Sequence, residues 1–416
     1  MAIGTVLRAS LVCLLATTLV WAGSDNSPSP SSNSSASSAP AVGSNVACKD
    51  VDGKRKGCTG TCPADCPEHC LVFCPGCRTF CRPDQVRSTS KQPVRPPAMF
   101  VFGDGQLDIG NSNVLSMGDY DVPHDEQQTL DAQWAGTDGD NTAQFIAKFM
   151  GFQGSPPAYL TMPRPIHVDQ GFTGINYACG GAGLRDLDPN MDGWLTIPMS
   201  KQVQQFAATR AQMEAKLGAQ RARDLLAKSF FLVEVGGVDL THILPYPYGR
   251  TEVLDFLGLY GDKIRSLYDM GARRFGLINV GLIGNAPNVG GGYDPADMNR
   301  HAAEFNDGLK LLLGGLARTL PGLRYSIADM YSFTETVFAN PSAYGFEDIQ
   351  SACSQYGSTE QPTDDSPHCD NPAQHWYWDD KGYITEHAAN LAATAFFYGP
   401  PQFTAPIIFR ALLDEK

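Results

Sequence analysis

The sequence predicts an α/β protein built on a mostly parallel sheet with helices on both faces, and three observations predict it. Short apolar runs closed by glycine alternate with longer stretches of helical spacing, the pattern of a parallel sheet whose strands are buried on both sides. Apolar residues are 43% and aromatic residues 10% of the 416-residue chain, enough for a large packed domain and too many for a disordered one. Gly/Asp clusters stand at strand ends and in late loops, and in open α/β sheets the working groups gather at the C-terminal ends of strands.

Taken in order, Met99-Phe100-Val101-Phe102 is a buried strand ending in Gly103. Residues 141–150 have helical spacing with Phe145, Ile146 and Phe149 on one face. Residues 174–183 read as a tight Gly-rich turn, and 201–228 as a long amphipathic helical region broken at Gly218. A strand over 230–235 is closed by Gly236-Gly237. A helix over 252–270, a strand over 275–280, a helix over 295–320, a strand over 325–330 and a last helix over 386–397 complete the alternation.

Ahead of this domain the composition changes three times. Residues 1–22 have a short positive start at Arg8 and an apolar run from Leu11 to Trp21, too short to span a bilayer and shaped like a secretory signal peptide. Residues 23–47 are a Ser/Pro/Asn-rich spacer that cannot bury enough to order itself, with a glycosylation sequon at Asn33. Residues 48–81 hold eight cysteines: Cys48, Cys58, Cys62, Cys66, Cys70, Cys74, Cys77 and Cys81. In a secreted chain that reads as a small disulfide-rich module; zinc is the alternative, against which stand the lack of a second Cys-x-x-Cys and of a His pair. Residues 82–97 are a second linker, the main domain spans 98–404, and 405–416 are a C-terminal tail. With 31 Lys+Arg against 44 Asp+Glu the net charge is −13, which argues against a nucleic-acid or anionic-membrane partner. No later stretch approaches transmembrane length, so the expectation is a secreted, extracellular protein.

Four clusters carry the chemistry: Phe102-Gly103-Asp104-Gly105-Gln106-Leu107-Asp108-Ile109-Gly110-Asn111; Gly174-Ile175-Asn176-Tyr177-Ala178-Cys179-Gly180-Gly181-Ala182-Gly183; Val235-Gly236-Gly237-Val238-Asp239; and Tyr377-Trp378-Asp379-Asp380. Each is a common α/β turn, but in this order, together with Gly271-Ala272-Arg273-Arg274-Phe275, Thr385-Glu386 and the Cys353 and Cys369 positions, the chain resembles the plant GDSL esterase/lipases of the SGNH-hydrolase superfamily from about Met99 to Phe403. The resemblance implies a three-layer, flavodoxin-like SGNH-hydrolase fold and a site of the Ser-His-Asp type for esters or acylated sugars, without cofactor or metal. It also implies a Cys353–Cys369 disulfide and an apoplastic location. The Cys-Pro steps of 48–81 are similar to the small module of root-cap and late-embryogenesis-related proteins, which implies contact with the cell wall or another protein.

Position by position, the implied chemistry is depleted. The family's serine falls on Gly105, which has no attacking oxygen, and the oxyanion asparagine falls on Val238, which cannot donate a hydrogen bond. The family's histidine falls on Gly382 or Tyr383 and its aspartate on Asp379 or Asp380, while the oxyanion glycine survives at Gly180-Gly181. Asp104 and Asp239 read as acceptors for backbone N–H groups that hold the loops of a ligand cleft. Ser112 lies late in its loop for a nucleophile, His375 and His387 flank the aspartates as candidate bases, and Cys179 reads as a small buried hydrophobe. The expectation is a catalytically impaired pseudo-hydrolase that holds a small acyl or glycan ligand; the alternative is an active ester hydrolase or acyltransferase with a rewired site.

Overall fold

The computed structural model describes residues 45–49, 55–62, 70–73, 78–81, 95–116, 136–168, 171–186, 195–242, 250–287, 294–354 and 368–414. The expected signal peptide, the Asn33 sequon and most of the linkers lie outside these residues. The chain divides into two compact units, one comprising 1–90 with 342–345 and the other 91–341 with 346–416.

In the first unit, β1 (Asn45–Lys49) pairs antiparallel with β2 (Arg55–Thr61), and β3 (Cys70–Phe73) with β4 (Arg78–Cys81). β1 begins inside the stretch read as spacer. Cys62 is buried and disulfide-bonded, and the Thr79 hydroxyl donates to the Thr61 carbonyl at 2.5 Å. Of the other cysteines expected in the module, Cys66, Cys74 and Cys77 lie outside the described residues.

The second unit is the α/β domain. Its strands are β5 (Met99–Gly103), β6 (Gly174–Asn176), β7 (Phe230–Glu234), β8 (Arg274–Ile278) and β9 (Arg324–Ala328), a separate parallel pair β10 (Asp348–Ala352) and β11 (His375–Tyr377), and β12 (Thr404–Ala405). The main sheet has six strands in the order β12-β9-β8-β7-β5-β6, all parallel except β12. Its five parallel strands, counted along the chain, run second-first-third-fourth-fifth across the sheet, which is the flavodoxin-like order. The helices are α1 (Asn111–Ser116), α2 (Thr142–Phe149), α3 (Met199–Leu217), α4 (Ala219–Lys228), α5 (Gly237–His242), α6 (Arg250–Asp269), α7 (Pro295–Thr319), α8 (Met330–Ala339), α9 (Glu386–Tyr398) and α10 (Phe409–Leu413).

Strand periodicity sorts the core into two faces. Phe100, Phe102 and Phe231 point to one side, where Phe206 of α3 lies 5.2, 5.7 and 5.6 Å from their rings and Tyr260 and Phe305 of α6 and α7 complete the cluster. Phe230, the intervening residue, meets Phe409 of α10 at 5.7 Å on the other side. Helix ends follow local chemistry. Asn141 and Gln144 form a reciprocal capping box on α2, Asp294 caps α7 with Pro295 in its first turn, and Gly218 at φ 83° separates α3 from α4.

Three expectations are corrected. The segment read wholly as a Gly-rich turn opens with edge strand β6, where Gly174 lets two backbones touch: a Cβ there would stand 1.7 Å from the Met99 carbonyl oxygen. The strand expected over 325–330 stops at Ala328, because the Asp329 side chain accepts the Ser332 N–H and starts helix α8, which the periodicity missed. Residues 405–416 are not merely a tail: α10 buries Phe409, Leu412 and Leu413. Among the described residues no helix is long and apolar enough to cross a membrane.

Candidate functional site

After β5 the chain crosses to β6 on one side of it and then to β7 on the other, so a crevice opens where the loops after β5 and β7 part. Gly103 ends β5 at φ 136°, so close to β7 that a Cβ would stand 1.8 Å from the Glu234 carbonyl oxygen. Gln202 of α3 fixes this point, its Oε1 accepting the Gly103 N–H at 2.9 Å and its Nε2 donating to the Gly103 carbonyl at 2.8 Å.

The 104–110 loop then folds on its own aspartates. The buried Asp104 carboxylate accepts the Gln106 N–H at 3.2 Å; burial pushes its pKa up to about 7 against that bond, with the Asp239 charge adding to the rise. Asp108 takes the start of α1, accepting the N–H groups of Gly110 and Asn111 at 2.8 Å and of Ser112 at 3.0 Å, along with the Ser112 hydroxyl. Ser112, read as late in its loop for a nucleophile, faces Gly180. The Gly180 N–H donates to Ser112 Oγ at 2.7 Å and to Asp108 Oδ2 at 3.2 Å. The N–H of Gly180, one of the two glycines where the resemblance leaves an oxyanion donor, therefore points at an internal acceptor.

Asp239, in the first turn of α5, is fully buried and pins the end of the Gly-rich segment, accepting the Leu184 N–H at 2.8 Å and the Arg185 N–H at 3.1 Å. Val238 beside it is half-buried and offers no donor. Cys179 is buried with its Sγ 3.6 Å from Ser112 Oγ, and burial raises its thiol to about 12, far from a working thiolate.

The last loop supplies the decisive group. Of the two candidate aspartates, Asp379 is buried and Asp380 is half-buried. Asp379 Oδ1 accepts the N–H groups of Lys381 at 3.1 Å and Tyr383 at 3.0 Å, and burial lifts its carboxyl to about 7 against those bonds. Gly382 turns the chain at φ 90° and its carbonyl accepts Gln106 Nε2 at 2.9 Å, tying this loop to the first. Tyr383 enters the crevice. A Cβ on residue 105 would stand 1.7 Å from the Tyr383 hydroxyl oxygen, and one on Gly180 would stand 3.1 Å from it. Burial first, then the charges of Asp379, Asp108 and Asp104, hold this phenol well above its ordinary range. It stays protonated and can donate a hydrogen bond, but it is no base at neutral pH.

Neither histidine joins this group. His375 Nδ1 faces Asp348 Oδ2 at 4.0 Å, and the His387 ring packs 5.0 Å from Phe346. Cys353 and Cys369 are bridged, with Cα atoms 4.9 Å apart. Among the described residues no three His, Cys, Asp or Glu side chains are placed to hold a metal ion. The residues that sequence reasoning passed over are Gln202, which left no signal in helical spacing, and Glu234, whose signal was a lone charge in an apolar strand run.

A family model described as GDSL-like Lipase/Acylhydrolase matches residues 99–385. Two GDSL esterase/lipases of Arabidopsis thaliana are 29% and 28% identical over 345 and 336 residues, in each case 76% of this chain and 90% and 88% of the relative. An anther-specific proline-rich protein of Brassica napus is 28% identical over 281 residues, 64% of this chain and 62% of its own.

Proposed function

The chain belongs to the GDSL-like lipase/acylhydrolase family, and we propose that within it this protein is a secreted, catalytically silent member that holds an acyl or glycan ligand without cleaving it. The observation that carries this reading is the overlap of Tyr383 with the volume a side chain at residue 105 would need. The nucleophile is missing and its seat is occupied. Loss of a nucleophile by itself costs about 10⁶ in kcat where the mechanism has been dissected, and loss of one oxyanion donor roughly 10²–10³.

Two further features support it. Gly180 spends its N–H on Ser112 and Asp108, so a developing oxyanion would have to displace them. The group in the base's place is a phenol that keeps its proton. An acyl-bearing ligand is favoured because the Arabidopsis relatives are named esterase/lipases. Secretion rests on the leader-like residues 1–22, and the Cys-rich module is the part we assign to cell-wall or protein contact.

One observation favours the second reading, an active hydrolase or acyltransferase with a rewired site: Ser112 is in the crevice, hydrogen-bonded to a buried carboxylate. Burial raises that Asp108 carboxyl, but it already accepts four backbone N–H groups and acts first as the cap of α1.

A fluorophosphonate probe and p-nitrophenyl butyrate, applied to the secreted protein beside a heat-killed control, separate the readings. No label and no turnover are expected, together with retained binding on a lipid or glycan array. Covalent labelling at Ser112, lost in Ser112→Ala, would replace the silent reading with the rewired one.

A further inference from the structure

Beneath the crevice lies a group of titratable side chains that the family chemistry does not use. Glu234 ends β7 directly beside Gly103 in the strand register, so its carboxyl and that of Asp104 come from adjacent strand ends. Glu234 is half-buried as a residue, yet its Oε2 is enclosed and accepts no hydrogen bond among the described residues. Tyr260 of α6, 1% exposed, feels the Glu234 charge, and its hydroxyl likewise lacks a hydrogen-bond partner there. An enclosed carboxylate oxygen on Glu234 and the buried Asp104 carboxyl thus stand at adjacent strand ends, an arrangement that is costly once both carry charge.

The surroundings supply no countercharge. α5 contributes Asp239, another acid, and the 379–385 loop contributes the Tyr383 phenol, which feels the Asp104 charge. β8 places Ile278 opposite Glu234, and Phe305 of α7 packs on Gly236, so neither adds a titratable group. Among the described residues neither Asp104 nor Glu234 is ion-paired to Lys, Arg or His. The Asp104 backbone N–H donates to the Glu234 carbonyl at 3.0 Å, so anything that drives the two carboxyls apart pulls on the root of the 104–110 loop.

We propose that Glu234 and Asp104 form a proton-holding unit beneath the cleft, and that loss of its proton on the alkaline side loosens the 104–110 loop. The unit goes beyond the silent-hydrolase reading and does not depend on it, since none of it requires a nucleophile or a ligand.

The direction follows from linkage. Burial raises both carboxyls, Asp104 to about 7 and Glu234 well above the ordinary range, so the folded chain keeps protons that an unfolded chain has already released. The unit favours the folded state fully at acid pH, and that contribution is lost as pH rises through about 7. For a single proton the closed loop should lose protection roughly tenfold per pH unit between the unfolded carboxyl value of about 4 and the folded midpoint, and level off above it.

The experiment is amide hydrogen exchange of the 104–110 loop between pH 5 and 9 on the full chain, corrected for the intrinsic pH dependence, with melting temperature followed in parallel. Wild type is expected to lose loop protection and melting temperature toward neutrality, whereas Glu234→Gln, isosteric and neutral at every pH, shows a shallower fall in both, with Asp104 and Asp379 still titrating. Asp104→Asn withdraws the other carboxyl of the unit and is expected to make the fall shallower likewise, which keeps the test alive if Glu234→Gln does not fold. Identical pH profiles for wild type and Glu234→Gln would overturn the proposal, as would a wild-type profile in Asp104→Asn.

Discussion

Gly105 and Tyr383 share one volume: the hydroxyl oxygen of Tyr383 stands 1.7 Å from where a Cβ on residue 105 would be. Restoring a serine is therefore a packing problem before it is a chemical one. Gly105→Ser should lower stability by about 1–3 kcal/mol, the usual cost of overpacking, because the Tyr383 ring has to leave. Gly105→Ser with Tyr383→His should recover most of that loss, as read by urea denaturation. Esterase activity should be absent in the single variant and appear only in the double, rising roughly 10²–10³-fold more when Val238→Asn returns an oxyanion donor. Activity in Gly105→Ser by itself would mean that Tyr383 moves aside freely.

Asp239 is expected to matter for the shape of the Gly-rich wall. Its carboxylate is the acceptor for Leu184 and Arg185, and hydrogen bonds to a charged group contribute about 1.5–3 kcal/mol. Asp239→Ala should cost about 3 kcal/mol and raise amide exchange at residues 180–185 first. Uniform loss of protection across the sheet would argue against this local role.

Asp379 provides a second pH dependence, separable from that of Glu234 by the variant used. Its folded carboxyl sits at about 7 because burial disfavours the charge. A raised folded value stabilises below the unfolded value of about 3.9 and loses that contribution as pH climbs through neutrality. Asp379→Asn should therefore flatten the fall in melting temperature between pH 4 and 8. A slope as steep as that of wild type would show that the carboxyl titrates without burial cost.

The Cys353–Cys369 bridge closes a loop of sequence separation 16. A closed loop of that length contributes about 3 kcal/mol. Replacing both cysteines with alanine should lower the urea midpoint accordingly and leave the pH profiles of the cleft unchanged.

How far the sequence could be read follows the range of each signal. The runs 99–103 and 230–234 were legible because strand apolarity is local, and α2 because Phe145, Ile146 and Phe149 recur at helical spacing within a few positions. Helix α8 was missed because Asp329 sits at the end of an apolar strand run, where its capping role depends on the chain turning there. Ser112 was set apart as too late in its loop, yet the short α1 brings it round to Gly180. Alternation of strands and helices was enough to expect the parallel sheet, but the antiparallel β12 and the buried α10 gave too few residues to form a period.

The amino-acid order by itself decided that residue 105 has no hydroxyl and residue 238 no amide, since composition at a position does not depend on folding. Only the tertiary structure decided what fills the space left behind. Which side chain reaches a crevice depends on where distant loops converge, and which carboxyl holds its proton depends on how completely its neighbours exclude water; neither quantity is written in the spacing of residues along one segment.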